Sequence, residues 1–119
     1  MEIRIYETAQ EASKAGAKLI ADVIKSQEST VLGLATGSTP VGMYDEWARM
    51  NATGELDFAT VSSFNLDEYI GLDGTHDQSY RYFMNKHLFN RVNIRMNETH
   101  VPCGNGADHD QDAREYDKM

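Results

Sequence analysis

The chain has 119 residues, which is one ordinary domain or a piece of a larger one. Its 40% hydrophobic and 25% charged residues make a globular composition, and the single cysteine, Cys103, excludes an internal disulfide and a cysteine metal cluster. A formal net charge of −8 weighs against a nucleic-acid or anionic-membrane surface. No run approaches the ~20 apolar residues of a membrane span. The opening MEIRIYETAQ has no basic region followed by an apolar core. The default reading is therefore cytoplasmic and soluble, with no membrane partner.

Glu2 to Tyr6 alternates polar and apolar residues and predicts a first strand. Thr8 and Glu11 form a capping-box pattern, so a helix is expected to begin there and run to about Gln27. Ala12, Gly16, Leu19, Ile20, Val23 and Ile24 would form its apolar stripe. Thr30 to Ala35 is short and nearly all apolar, as for a strand covered on both faces.

The turn Thr36-Gly37-Ser38-Thr39 comes next, and Pro40 opens a helix to about Met50 with Met43, Tyr44, Trp47 and Met50 on one side. Thr39 or Ser38 would be its N-cap. Strand, tight loop and helix N-terminus together direct free N–H groups and the positive end of a helix dipole at one point, which suits phosphate. No GK[ST] and no GxGxxG is present, so a phosphate on a small molecule fits better than a nucleotide. Many α/β proteins, however, make this turn and bind nothing there.

A third strand is predicted over Thr60 to Asn65, followed at once by Asp67-Glu68-Tyr69. A carboxylate in a partly dry pocket at a strand end can act as a general base; alternatively, such a pair is merely solvated or caps a turn. Asp67, Glu68, Asp73, His76 and Asp77 are metal-type donors, but neither an EF-hand nor an HExxH pattern is present, and no metal is assigned. Asp77 or Ser79 would cap a third helix whose face carries Tyr80, Phe83, Met84, His87 and Leu88. Thr99 to Val101 reads as a fourth strand and Asp112 to Met119 as the start of another helix. Strands alternating with helices imply an α/β fold, a parallel sheet wrapped on both faces. Ligands in such sheets sit at the carboxyl ends of the strands, so the 36–40 loop and the 67–71 segment should be neighbours.

Leu32-Gly33-Leu34-Ala35-Thr36-Gly37-Ser38-Thr39-Pro40 and Phe64-Asn65-Leu66-Asp67-Glu68-Tyr69-Ile70-Gly71-Leu72 resemble the glucosamine-6-phosphate deaminase family. His76, Ser79-Tyr80, Phe83-Met84 and Gly104-Asn105-Gly106 extend the match over nearly the whole chain. Gluconolactonases and isomerases of similar fold share the loop, but the Asn-Leu-Asp-Glu-Tyr run favours the deaminase. Ser38 stands where the family often has a second Gly.

The resemblance implies a three-layer, Rossmann-like, mostly parallel sheet. It also implies conversion of glucosamine 6-phosphate and water to fructose 6-phosphate and ammonia, in amino-sugar catabolism, without metal or organic cofactor. By motif, Thr36, Gly37, Ser38 and Thr39 would hold the phosphate. Asp67 would move a proton from C2 to C1 of the ring-opened sugar, and Glu68 and Tyr69 would support the site. Family members are about twice as long. Their second half supplies the ring-opening histidine with its acidic partners and the basic residues that complete the phosphate site, and His76 matches none of these. The 119 residues are therefore expected to be the N-terminal portion of a single α/β domain with its C-terminal half absent, and to turn over little alone. A homo-oligomer of the full-length form is left open, as are a non-catalytic sugar-phosphate-binding domain and a related 6-phosphogluconolactonase or sugar-phosphate isomerase.

Overall fold

Residues 1–119 are all described in the computed structural model, whose centre is a parallel sheet of three strands. These are β1 (Thr30–Leu34), β2 (Val61–Asn65) and β3 (Thr99–His100), ordered β1-β2-β3. The helices are α1 (Ala9–Ser26), α2 (Val41–Ala52), α3 (Tyr80–Met84, continued as a π-turn over Asn85–Phe89) and α4 (His109–Asp117). The sheet register runs from Thr30↔Val61 to Leu34↔Asn65, and from Ser63↔Thr99 to Phe64↔His100. All three strands therefore end on the same edge.

Side chains alternate across a strand, so Leu34 and Val61 share one face of the sheet while Val31 and Phe64 lie on the other. Helices α1, α2 and α3 contribute to the core on the first face with Ala17, Ala21, Ile24, Tyr44, Trp47, Met84 and Leu88. The second face receives α4, whose Tyr116 packs edge-on to Phe64 at 6.0 Å between ring centroids. Beyond that contact it is open, and Val31 is 68% exposed. The α/β class expected from the sequence is therefore present, with helices on both faces, but β1 is covered on one face only.

Local chemistry accounts for most element boundaries. Thr8 Oγ1 accepts a hydrogen bond from the Glu11 N–H at 3.1 Å and starts α1, so half of the capping box forms. Ser79, not Asp77, caps α3 by accepting from the Tyr82 N–H at 3.0 Å. Asp108 caps α4 in the same way, which starts that helix three residues earlier than the sequence pattern suggests. The π-turn that continues α3 carries the buried residues Leu88 and Phe89.

Three expectations are corrected. Glu2 to Tyr6 is not a strand: no segment lies beside it to complete the hydrogen-bond ladder, and Ile3 and Ile5 are exposed. The buried stripe of α1 is Ala17, Ala21 and Ile24 with Ile20 packed against it, so Ile20 and Ile24 of the expected stripe face the core while Ala12, Leu19 and Val23 are exposed. Small residues win that face because α2 lies close against it, with the Trp47 Nε1–H donating to the Ala17 carbonyl at 3.0 Å. Neither Ser38 nor Thr39 caps α2, which begins after Pro40 without any side-chain cap.

Trp47 is the centre of the packing. It is 1% exposed and lies between Tyr44 and Phe58, with ring centroids 5.7 and 5.9 Å away. Trp47→Ala is expected to cost about 3–5 kcal/mol in urea unfolding. Met96→Ala, at an exposed position, should stay within about 0.5 kcal/mol of the parent in the same experiment.

Candidate functional site

The loop after β1 and the segment after β2 meet at the sheet's carboxyl edge. Leu34 and Asn65 are register partners, and Asn65 Nδ2 also donates to the Leu34 carbonyl at 3.0 Å. The two predicted site segments thus start from strands joined by backbone pairing and by a buried side chain. Adjacent strands are about 4.8 Å apart, which brings Thr36–Thr39 and Asp67 to one locality.

The 36–40 loop has two structural devices. Gly37 has φ +95, a left-handed conformation that residues with a Cβ rarely adopt. Tyr44, one turn into α2, reaches back to Ala35: its hydroxyl accepts from the Ala35 N–H at 3.2 Å and donates to the Ala35 carbonyl. Both backbone groups of the first residue beyond the strand are satisfied by one phenol. Burial pushes that phenol from its ordinary 10.0 up to about 12. Because Ser38 and Thr39 do not cap α2, their hydroxyls are not committed there, and both line a cleft of about 1190 Å³ between the loop and the first turns of α1 and α2. Lys14 and Gln10 border the same cleft. Asp67 does not, so the loop is shared between the cleft and the strand-end site.

The 66–72 segment treats its two carboxylates differently. Asp67 is exposed. Glu68 is half-buried and accepts three backbone bonds: Oε1 from the N–H groups of Tyr69 (2.9 Å) and Tyr80 (2.8 Å), and Oε2 from that of Arg81 (3.0 Å). The Tyr69 and Tyr80 rings pack at a tilt of 41° with centroids 4.6 Å apart and hydroxyls 3.2 Å apart. That hydrogen bond, with the charge of Asp67 adding to it, pushes the Tyr80 phenol up. From behind, Gly71 donates its N–H to the Gly104 carbonyl at 2.6 Å. Gly104 can only be glycine in this packing, since a Cβ there would lie 2.2 Å from the Tyr69 carbonyl oxygen.

Other candidate residues are placed elsewhere. His76 Nδ1 accepts from the Gln78 N–H at 3.0 Å, and Asp73 is held by Thr75 and Asn105. No three His, Cys, Asp or Glu side chains converge on a common point. His87 packs on Phe83 at 4.3 Å, as a structural histidine. Tyr44, Tyr80, Arg81 and Tyr116 were not singled out in the sequence as parts of the site. Arg81 binds Thr99 through Nη1 to Oγ1 (2.8 Å) and Nη2 to the carbonyl (3.1 Å), while Tyr116 shares its O–H between the carbonyls of Asn65 (2.6 Å) and His100 (3.0 Å). Only the spacing of Tyr44 from the loop could have hinted at any of these.

A glycine loop opening a helix beside a carboxylate at the next strand end defines an α/β protein with its ligand edge at the strand carboxyl ends. Comparison with known proteins makes this specific. The chain belongs to the glucosamine-6-phosphate isomerase/6-phosphogluconolactonase family, whose profile matches residues 5–119. It is 53% identical over 117 residues to a glucosamine-6-phosphate deaminase of Clostridium perfringens, covering 98% of this chain and 48% of that one. A Clostridium beijerinckii glucosamine-6-phosphate deaminase is 48% identical over 118 residues, with coverage of 99% and 49%. The solved structure of a monomeric glucosamine-6-phosphate deaminase superposes with TM-score 0.96 at 36% identity, over 99% of this chain and 49% of that one. A 6-phosphogluconolactonase from Thermotoga maritima shares the fold at TM-score 0.76 and 15% identity. The chain spans about half the length of the curated relatives it matches.

Two measurements test the loop. Gly37→Ala should lower stability by about 1 kcal/mol or more, because it forces a Cβ into the left-handed region. Tyr44→Phe should cost about 1 kcal/mol near neutrality, through the lost bonds to Ala35. Its pH dependence has a definite sign. With a raised pKa the folded state keeps a proton that the unfolded state gives up, so the Tyr44 contribution declines as pH climbs from 10.0 to about 12. Urea unfolding at pH 8 and pH 11 should therefore show a smaller alkaline loss in Tyr44→Phe than in the parent.

Proposed function

We propose that the protein is the N-terminal part of a glucosamine-6-phosphate deaminase, converting glucosamine 6-phosphate and water to fructose 6-phosphate and ammonia. The observation that carries this reading is the adjacency of the 36–39 loop and Asp67 on paired strand ends, Leu34 and Asn65, in a chain whose relatives bear that name. Thr36, Gly37, Ser38 and Thr39 hold the substrate phosphate through loop N–H groups, hydroxyls and the start of α2. Asp67 takes the C2 proton of the ring-opened amino sugar and returns it to C1, through an enolamine. Hydrolysis of the resulting C2 imine then releases ammonia. Anchoring the phosphate at the neighbouring strand end gives the carboxylate a fixed substrate, so orientation adds to basicity. No step in this scheme requires a metal or an organic cofactor.

The same reading assigns the reaction to cytoplasmic amino-sugar breakdown, with the ring-opening groups and the cations of the phosphate site supplied by the remaining half of the domain.

Ammonia release from glucosamine 6-phosphate by the full-length natural chain is the test. Asp67→Asn should lower kcat by about 10²–10⁴-fold, the range of a general base, while Thr39→Ala should act mainly on KM. Equal turnover by Asp67→Asn would remove Asp67 from the role of base. Binding of sugar phosphate without ammonia release would favour a sensing domain. Residues 1–119 alone should show little turnover; robust activity would refute the assignment of essential groups to the second half.

A further inference from the structure

The two adjacent carboxylates at the end of β2 have unlike surroundings, and the difference bears on how the proposed base is held. Segment 66–72 carries no helix or strand of its own, so nothing in its local backbone pattern fixes Asp67. Glu68 ties it to the first turn of α3. One carboxylate collects the N–H groups of Tyr80 and Arg81, which are among the donors a helix N-terminus leaves unpaired, together with its own neighbour's, Tyr69.

That first turn is itself anchored to the sheet. Arg81 reaches Thr99 on β3 with both terminal nitrogens and lies over the Phe89 ring at 5.6 Å. Ser79 Oγ caps the turn and donates to the Gly74 carbonyl at 3.3 Å. The path from β3 through Arg81 and the first turn of α3 to Glu68 is therefore continuous. Gly104 closes the other side of the segment.

We propose that Glu68 is a positioning residue for the deamination: it staples the 66–72 segment to α3 and so fixes where the Asp67 carboxylate stands relative to the phosphate loop. This rests on the deaminase reading, in which Asp67 is the base. Three of the roughly four lone-pair directions of the Glu68 carboxylate are committed to N–H donors, so it does not compete for the substrate proton. Asp67 takes no part in these bonds and is free to do so. A displacement of about 1 Å at a reacting group is enough to cost on the order of 10²-fold in rate. Holding the segment is thus a kinetic requirement as well as a structural one.

The test compares Glu68→Gln and Glu68→Asp with the parent in the full-length natural chain, using glucosamine 6-phosphate. Glu68→Gln keeps the length but turns one acceptor into an NH₂ that faces a backbone N–H; Glu68→Asp keeps the charge but is one methylene short. Both should lower kcat by about 10–100-fold per folded molecule, with KM within about threefold because the phosphate loop is untouched.

An unchanged kcat per folded molecule would overturn the proposal, because a purely structural role lowers only the amount of folded enzyme. A loss as complete as in Asp67→Asn would also overturn it and make Glu68 the base. Amide exchange separates this inference from the deaminase reading. The Tyr69, Tyr80 and Arg81 amides should be protected in the parent and exchange at least about tenfold faster in Glu68→Gln, whatever reaction the protein catalyses. Unchanged protection refutes the staple. Loss of protection in a parent that releases no ammonia would refute its role in deamination and leave the contact as a structural one.

Discussion

The pairing of β1 with β2, carried to their last residues, is the constraint on which the rest of the structure depends. Parallel strands end on one edge, and Leu34 opposite Asn65 brings two separate loops to that edge. Asn65 then reinforces the junction from inside the core with its side-chain bond to the Leu34 carbonyl. Slipping this register by one residue would turn every buried side chain of a strand to the opposite face. It would also carry the glycine loop away from the carboxylate. Core packing and site geometry are thus specified by the same ladder of hydrogen bonds.

Local signals in the sequence were sufficient for much of the fold. Thr8, the apolar run before Thr36 and the position of Pro40 each predict a boundary within a few residues, because the physics of caps and of strand burial is itself local. Glu2 to Tyr6 shows the limit. Alternation is necessary for a half-buried strand, but a strand also needs a neighbour, and a neighbour is not encoded in five residues. The rotated stripe of α1 has a similar cause: Trp47, some thirty residues away, decides which side of that helix is buried.

Asp67 and the 36–39 loop stood out in the sequence because chemistry-bearing residues cluster there. Their supports did not. Tyr44, Arg81 and Tyr116 act across gaps of 9 to 51 residues, each with at least one hydrogen bond to a backbone atom, and the backbone bonds that Glu68 accepts from α3 span 12 and 13 residues. No spacing rule predicts such contacts. They share one strategy, in which a side chain satisfies backbone groups on an element distant in sequence. At the phosphate loop the partner comes from a helix, Tyr44 of α2, which satisfies both backbone groups of Ala35.

The uneven cover of the sheet has a consequence for how molecules of this span behave toward one another. Three helices shield one face, while on the other Val31 remains bare beyond the reach of Tyr116. A net charge of −8 keeps neighbouring copies apart at low ionic strength. Added salt shortens the range of that repulsion to about 10 Å at 0.1 M and ~3 Å at 1 M, yet leaves the attraction between apolar side chains intact. Colloidal behaviour of the 119-residue span is therefore a contest between its acidic surface and exposed apolar side chains such as Val31, Ile5 and Ile70, and ionic strength decides which prevails.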